Sequence, residues 1–154
     1  MRVERIVYAA PGWGTGEGWL ADGRVVELGH PRPAADEETE EASAHPLARR
    51  LAAWFAGAED AFLDVELELE WCTPFQRSLV DALRAVPRGE TVSYGELAAL
   101  AGKPRAARAA GTFCAENRFA ILVPCHRVVA ADGIGGYGSL GVGFKRRLLA
   151  LEQG

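Results

Sequence analysis

The 154-residue sequence predicts an α+β protein of two domains, an acidic, structural one at residues 1–72 and a second at residues 73–154. Three observations lead there. Short β-type runs separated by turn residues fill the first part, helices with explicit start signals fill the second, and the charge changes sign between them. Residues 1–72 hold 6 Lys and Arg against 15 Asp and Glu, a net of −9, whereas residues 73–154 hold 11 against 6, a net of +5. The overall −4 conceals that contrast. A basic half attracts phosphate that an acidic half repels, so the two halves suit different partners.

Within residues 6–28 the strand-forming runs are 6–10, 18–20 and 25–28, with Pro11, Gly12, Trp13 and Gly14 as a breaker. Asp22 and Gly23 between two apolar runs signal a hairpin. The acidic stretch at 36–41 has little to bury and repels itself, which predicts a mobile loop. A helix is expected over residues 46–57, with Leu47, Leu51, Trp54 and Phe55 on one face, Pro46 in the first turn and Gly57 at C′. Residues 63–71 alternate strictly between apolar and acidic side chains, which predicts a strand with one wet face. Carboxylates along such a face do not converge, so no metal site is expected there.

Thr73 as N-cap, Pro74 at N1 and Gln76 at N3 open a helix reaching about Val86, where Pro87 and Gly89 stop it. Phe75, Leu79, Leu83 and Val86 are its expected buried face. Ser93 and Glu96 form a second capping box, opening a helix that ends at Gly102, and Pro104 is placed at N1 of another helix reaching toward Cys114. Two short helices joined around a glycine make a helix-turn-helix candidate, although packed pairs of this length also occur in ordinary cores. The second of them is built of small residues plus Arg105 and Arg108, suited either to close packing or to a nucleic-acid backbone. In the last helix Phe144, Leu148 and Leu151 are expected inward with Glu152 on the same side. The helix dipole disfavours a carboxylate there, so Glu152 is either frayed at the surface or held for a purpose.

Residues 124–129, Pro-Cys-His-Arg-Val-Val, lie between an apolar run and a glycine-rich stretch. A reactive thiol must become a thiolate, which burial opposes and an imidazole or a water relay promotes. Consecutive strand residues point to opposite sides, so Cys125 and His126 can cooperate only if the chain turns, and Pro124 predicts that turn. The plainer alternative is a small buried cysteine beside a loop histidine. Residues 133–138 match the dinucleotide pattern GxGxxG in form only, since no second strand or ribose-binding acid follows. Cys72, Cys114 and Cys125 are odd in number and lack CxxC spacing, which argues against a disulfide framework or zinc ribbon. With no apolar run near the roughly 20 residues of a membrane span, a cytoplasmic protein without membrane contact is expected.

The Pro124 to Val128 motif resembles the active site of the O6-alkylguanine-DNA alkyltransferases. The likeness runs over residues 73–152, through Val92-Ser93-Tyr94, residues 97–102, Arg108-Ala109, Asn117, Lys145, Leu148-Leu149 and Glu152. It implies an N-terminal ribonuclease-H-like sheet-plus-helix domain and a C-terminal helical domain with a winged-helix-like helix-turn-helix. It also implies a single-turnover repair protein, a monomer without cofactor, that moves an alkyl group from O6-alkylguanine in double-stranded DNA to Cys125. O4-alkylthymine is a second candidate substrate. By the same resemblance His126 acts through a water as base, Glu152 orients it, Asn117 is a hinge, and Tyr94 protonates N3 of the leaving base. Arg108 fills the stack vacated by the flipped base, with Ala109, Gly111 and Arg127 completing the DNA surface in the minor groove.

Some positions depart from the family pattern. Arg118 follows Asn117 where a proline is frequent, Thr112 and Phe113 replace small residues, so that Phe113 is expected to narrow the pocket or shift the helix, and either Gly138 or Ser139 supplies the amide near O6. Some relatives carry a zinc in the first domain, but His30, His45 and Cys72 are too widely spaced here, so no metal is expected. The rival readings are a non-catalytic alkyl-lesion sensor of the alkyltransferase-like kind, which carries Trp in place of Cys125, and a Cys-His hydrolase with no role on DNA.

Overall fold

The structure, a computed structural model, describes residues 1–33 and 41–154. The acidic stretch expected to form a mobile loop lies outside the described residues except for Glu41. Two compact units emerge, one of Met1–Glu68 with Arg118–Ala120, the other of Leu69–Asn117 with Ile121–Gly154.

In the first unit β1 (Val3–Ala10), β2 (Gly14–Ala21) and β3 (Arg24–Leu28) form an antiparallel sheet in sequence order. Asp22 and Gly23 both take positive φ, 50° and 80°, as a type I′ hairpin requires. Gly16 pairs with Tyr8, and a Cβ there would come within 2.2 Å of the Tyr8 ring, so only glycine fits. The helix α1 (Pro46–Phe55) is capped by His45, whose Nδ1 accepts from the Leu47 N–H, and Gly57 follows its end at φ 108°. Its Leu47, Leu51, Trp54 and Phe55 are buried. Phe55 stacks on Tyr8 at 5.9 Å and meets Trp13 edge-on at 5.1 Å, contacts worth about 0.5–1.5 kcal/mol each beyond area burial. Between β3 and Phe119 the chain pairs in parallel: the Leu28 N–H donates to Arg118 O and the Ala120 N–H to Leu28 O, so Arg118–Ala120 extends this sheet.

The strand expected over residues 63–71 does not form. Only Leu67 bridges, in parallel to Val25, through Val25 N–H to Glu66 O and Glu68 N–H to Val25 O. Turns close on either side, from Val65 N–H to Phe62 O and from Cys72 N–H to Leu69 O. Upstream, Arg50 bonds both Asp60 and Asp64, and Phe62 has φ 55°. Those contacts coil the first residues and leave Leu63 at 64% exposure. Alternation is a property that strands share, but pairing needs a neighbouring edge along the whole run.

The second unit opens with α2 (Pro74–Arg84), in which both reciprocal bonds of the Thr73–Gln76 capping box are made. A short β4 (Val92–Ser93) pairs in parallel with β5 (Val128–Val129). The helix α3 (Tyr94–Leu100) starts with the Ser93–Glu96 capping box. It ends in a Schellman turn, Gly102 N–H to Ala99 O and Lys103 N–H to Ala98 O, with Gly102 at φ 94°. The next helix, α4 (Ala107–Ala115), begins three residues later than expected. Pro104 sits in the preceding turn, closed by Ala106 N–H to Lys103 O, because the Schellman turn has already used the chain as far as Lys103. A 3₁₀ turn, Cys125–Arg127, and α5 (Gly141–Gln153) complete the unit. No helix among the described residues is long and apolar enough to cross a membrane.

Candidate active site

The turn that carries Cys125 is built from backbone. Pro124 has φ −79° and ψ 69°, and the Cys125 N–H donates to Val123 O at 2.8 Å, which makes Pro124 the centre of an inverse γ-turn. The Arg127 N–H then donates to Pro124 O, closing the 3₁₀ turn. Asn117, just past the end of α4, donates from Nδ2 to the same Val123 carbonyl at 2.8 Å. Upstream, buried Ile121 takes φ 67°, a left-handed conformation that β-branched residues rarely adopt. Cys125 and His126 are buried, at 3% and 0% exposure.

Glu152 is held by two neighbours. Its Oε1 lies 3.0 Å from His126 Nε2, while the Arg127 guanidinium donates to both carboxylate oxygens through Nε and to Oε2 through Nη2. The third guanidinium nitrogen, Nη1, donates to Val86 O at 2.8 Å. Burial opposes the charge of Glu152, but the bonds from His126 and Arg127 prevail and hold its carboxyl at about 2. Burial lowers His126 against the pull of Glu152, so the imidazole is neutral near pH 7. With Nε2 facing the carboxylate, Nδ1 is the basic nitrogen that this contact favours.

Arg127, expected on the DNA surface, is 6% exposed and committed to Glu152 and Val86, so it has no guanidinium to offer to phosphate. An ionised glutamate in the interior requires a buried counter-charge, and Arg127 is the one the turn delivers. The inward stripe of α5 also differs from expectation. Lys145, Leu148 and Glu152 are buried, whereas Phe144 and Leu151 are half-buried. Lys145 tolerates burial because its three protons have three acceptors, the carbonyls of Val128, Ile134 and Gly136 at 2.6, 2.6 and 3.1 Å.

A cavity of about 120 Å³ opens onto Cys125, lined by Tyr94, Gly111, Cys114, Ala115, Gly136, Tyr137 and Gly138. Tyr94, first residue of α3, has its ring beside Gly135, where a Cβ would sit 3.2 Å from the phenol oxygen. Burial, then the thiols of Cys114 and Cys125, raise its phenol, which keeps the hydroxyl a proton donor. Burial likewise pushes the Cys125 thiol up, assisted by Cys114 and opposed by Lys145. A thiol and a neutral imidazole on consecutive residues of one turn, the imidazole facing an ionised carboxylate, are the parts that a base-assisted nucleophile needs.

A sequence model of the 6-O-methylguanine DNA methyltransferase family, for its DNA-binding domain, matches residues 74–154. The chain belongs to this family. It is 50% identical over 105 residues to a methylated-DNA--protein-cysteine methyltransferase of Mycolicibacterium paratuberculosis, a match covering 68% of this chain and 62% of that relative. It is 41% identical over 129 residues to the bifunctional transcriptional activator/DNA repair enzyme Ada of Escherichia coli, covering 83% of this chain and 36% of Ada. The structure superposes on Mycobacterium tuberculosis OGT in complex with DNA with a TM-score of 0.79 at 37% identity, covering 97% of this chain and 92% of that one. An O6-methylguanine-DNA methyltransferase from Pyrococcus kodakaraensis gives 0.71 at 28% identity, with 97% of each covered. The α+β architecture is therefore that of the family.

The remaining family positions fall on α4. Arg108 and Ala109 are exposed, and Gly111 lies against the Tyr94 ring, where a Cβ would be 3.7 Å away. Phe113 does not narrow the cavity. It is buried on another face of α4, in a groove shared with Phe75 and Leu79. Cys114 and Lys145 were not singled out from sequence as site residues. Helical spacing carried a signal for both: Gly111, Cys114 and Ala115 share one face of α4, and Lys145, Leu148 and Glu152 one face of α5.

Proposed function

We propose that this chain is a single-turnover DNA repair protein that transfers the alkyl group of O6-alkylguanine in duplex DNA to Cys125. The observation that carries the reading is the succession of Cys125, His126 and Glu152 in one turn and one helix end, with Cys125 opening on a small cavity. His126, through a water, takes the Cys125 proton, and Glu152 stabilises the imidazolium that results. The sulfur then attacks the alkyl carbon as its bond to O6 breaks. Tyr94 supplies a proton to N3, so guanine leaves as a neutral base. The S-alkyl cysteine is a stable thioether, and no group in the proposal removes it, so each molecule acts once.

A stacked guanine cannot reach a buried sulfur and must flip out, at a cost of a few kcal/mol. Arg108, exposed on the small-residue face of α4, occupies the vacated stack, with Ala109 and Gly111 allowing close approach from the minor groove. The chain acts as a monomer in the cytoplasm. Incubation with an oligonucleotide containing O6-methylguanine is expected to add one methyl group to the intact mass, mapped to Cys125 and absent from Cys125→Ala. Lesion binding without a mass gain would sink transfer and leave a lesion sensor.

A further inference from the structure

Alkyl transfer as proposed has no use for Cys114, yet Cys114 lines the same cavity as Cys125. None of the three cysteines is in a disulfide, and Cys72 is not among the residues lining this cavity. At about 120 Å³ the space holds a few waters, each taking about 30 Å³ of liquid, so a two-oxygen hydroperoxide fits beside the sulfurs. Burial and Cys114 raise the Cys125 thiol and the Lys145 ammonium opposes them, so the thiolate that such an oxidant attacks forms when the base already proposed, His126, takes the proton.

We propose that Cys114 is the resolving thiol for an oxidised Cys125, so that a hydroperoxide closes a Cys114–Cys125 disulfide which suspends alkyl acceptance until a thiol reductant reopens it. The Cys125 thiolate attacks one peroxide oxygen, the O–O bond breaks, and a sulfenic acid forms as hydroxide leaves and becomes water. The Cys114 thiolate then attacks the sulfenic sulfur, expelling a second hydroxide that its own former proton converts to water. Two thiols lose two electrons and the peroxide becomes two waters. Without a thiol so near, a sulfenic acid proceeds to the sulfinic acid, which thiol reductants do not reverse. Cys114 therefore preserves a nucleophile that can be used only once.

The test treats reduced protein with hydrogen peroxide, blocks remaining thiols with iodoacetamide in denaturant, and maps peptides by mass. The expected result is blocking of Cys72 alone, a cross-linked peptide holding Cys114 and Cys125, and recovery of three blockable thiols with dithiothreitol. Cys72→Ser should still form the link, whereas Cys114→Ser should yield Cys125 sulfinic acid that dithiothreitol does not rescue. Cys125 recovered as sulfinic or sulfonic acid with Cys114 still open to iodoacetamide would overturn the proposal, as would a link through Cys72. The map of the unsubstituted chain decides the matter even where Cys114→Ser fails to fold. This readout does not depend on alkyl transfer, so either reading can fail without the other.

Discussion

Glu152 Oε1 stands 3.0 Å from His126 Nε2 while the same carboxylate balances the charge of buried Arg127, so one side chain faces both the imidazole and the guanidinium of the turn. Replacing it with glutamine keeps the shape and removes the charge. Glu152→Gln is expected to slow single-turnover alkyl transfer by about 100-fold, the lower end of the roughly 10²- to 10⁴-fold that general-base assistance contributes. It should also destabilise the fold by about 3–5 kcal/mol by stranding the Arg127 guanidinium. Rapid-quench transfer and urea unfolding measure the two effects separately.

The same carboxylate sets an acid limit. Its folded value of about 2 lies below the roughly 4.3 of an unfolded glutamate, so its contribution is complete above that value and is lost as pH falls toward 2. The contribution is on the order of 3 kcal/mol. Urea midpoints between pH 6 and pH 2 should fall with acid in the parent chain, and by visibly less in Glu152→Gln. Equal slopes would place the acid sensitivity elsewhere.

Asn117 joins the end of α4 to the carbonyl that the Cys125 N–H also uses. Asn117→Ala leaves that carbonyl its backbone donor, so the expected cost is about 1 kcal/mol in stability. The larger effect should fall on transfer, because the turn carrying the thiol loses a tie to the helix that lines its cavity. A variant that transfers at the parental rate would make Asn117 a merely local contact.

Arg108 is exposed and, on the proposed reading, acts only on DNA. Arg108→Ala should leave the melting temperature unchanged and reduce transfer from duplex lesions at least tenfold. Transfer from a free O6-alkylguanine base, which needs no flipping, should persist. Equal loss on both substrates would mean that Arg108 shapes the cavity instead.

Much of the architecture was legible because its signals are local. Asp22 and Gly23 need only their own φ angles to make a hairpin, and Thr73 with Gln76, or Ser93 with Glu96, need only a three-residue spacing. Residues 63–71 misled because a strand is defined by its neighbour, and only Leu67 found one. Pro104 misled because the end of α3 consumed the residues a new helix start would use. In the site, Pro124 announced a turn, but a charged Arg127 reads as a surface residue until the buried Glu152 comes into view. Lys145 is similar, since its three carbonyl acceptors come from β5 and the loop after it, with no pattern that marks them as a lysine cradle.

Because Arg118–Ala120 completes the sheet of β3, no single cut of the polypeptide yields either unit whole. A fragment ending at Glu68 leaves the Leu28 N–H and carbonyl without their partners, and one starting at Leu69 carries Phe119 and Ala120 with no sheet to bury them. Residues 74–154, the span of the family match, are thus a unit of descent that is not a unit of packing. Fragments made for binding studies must account for two segments of chain in each unit rather than one.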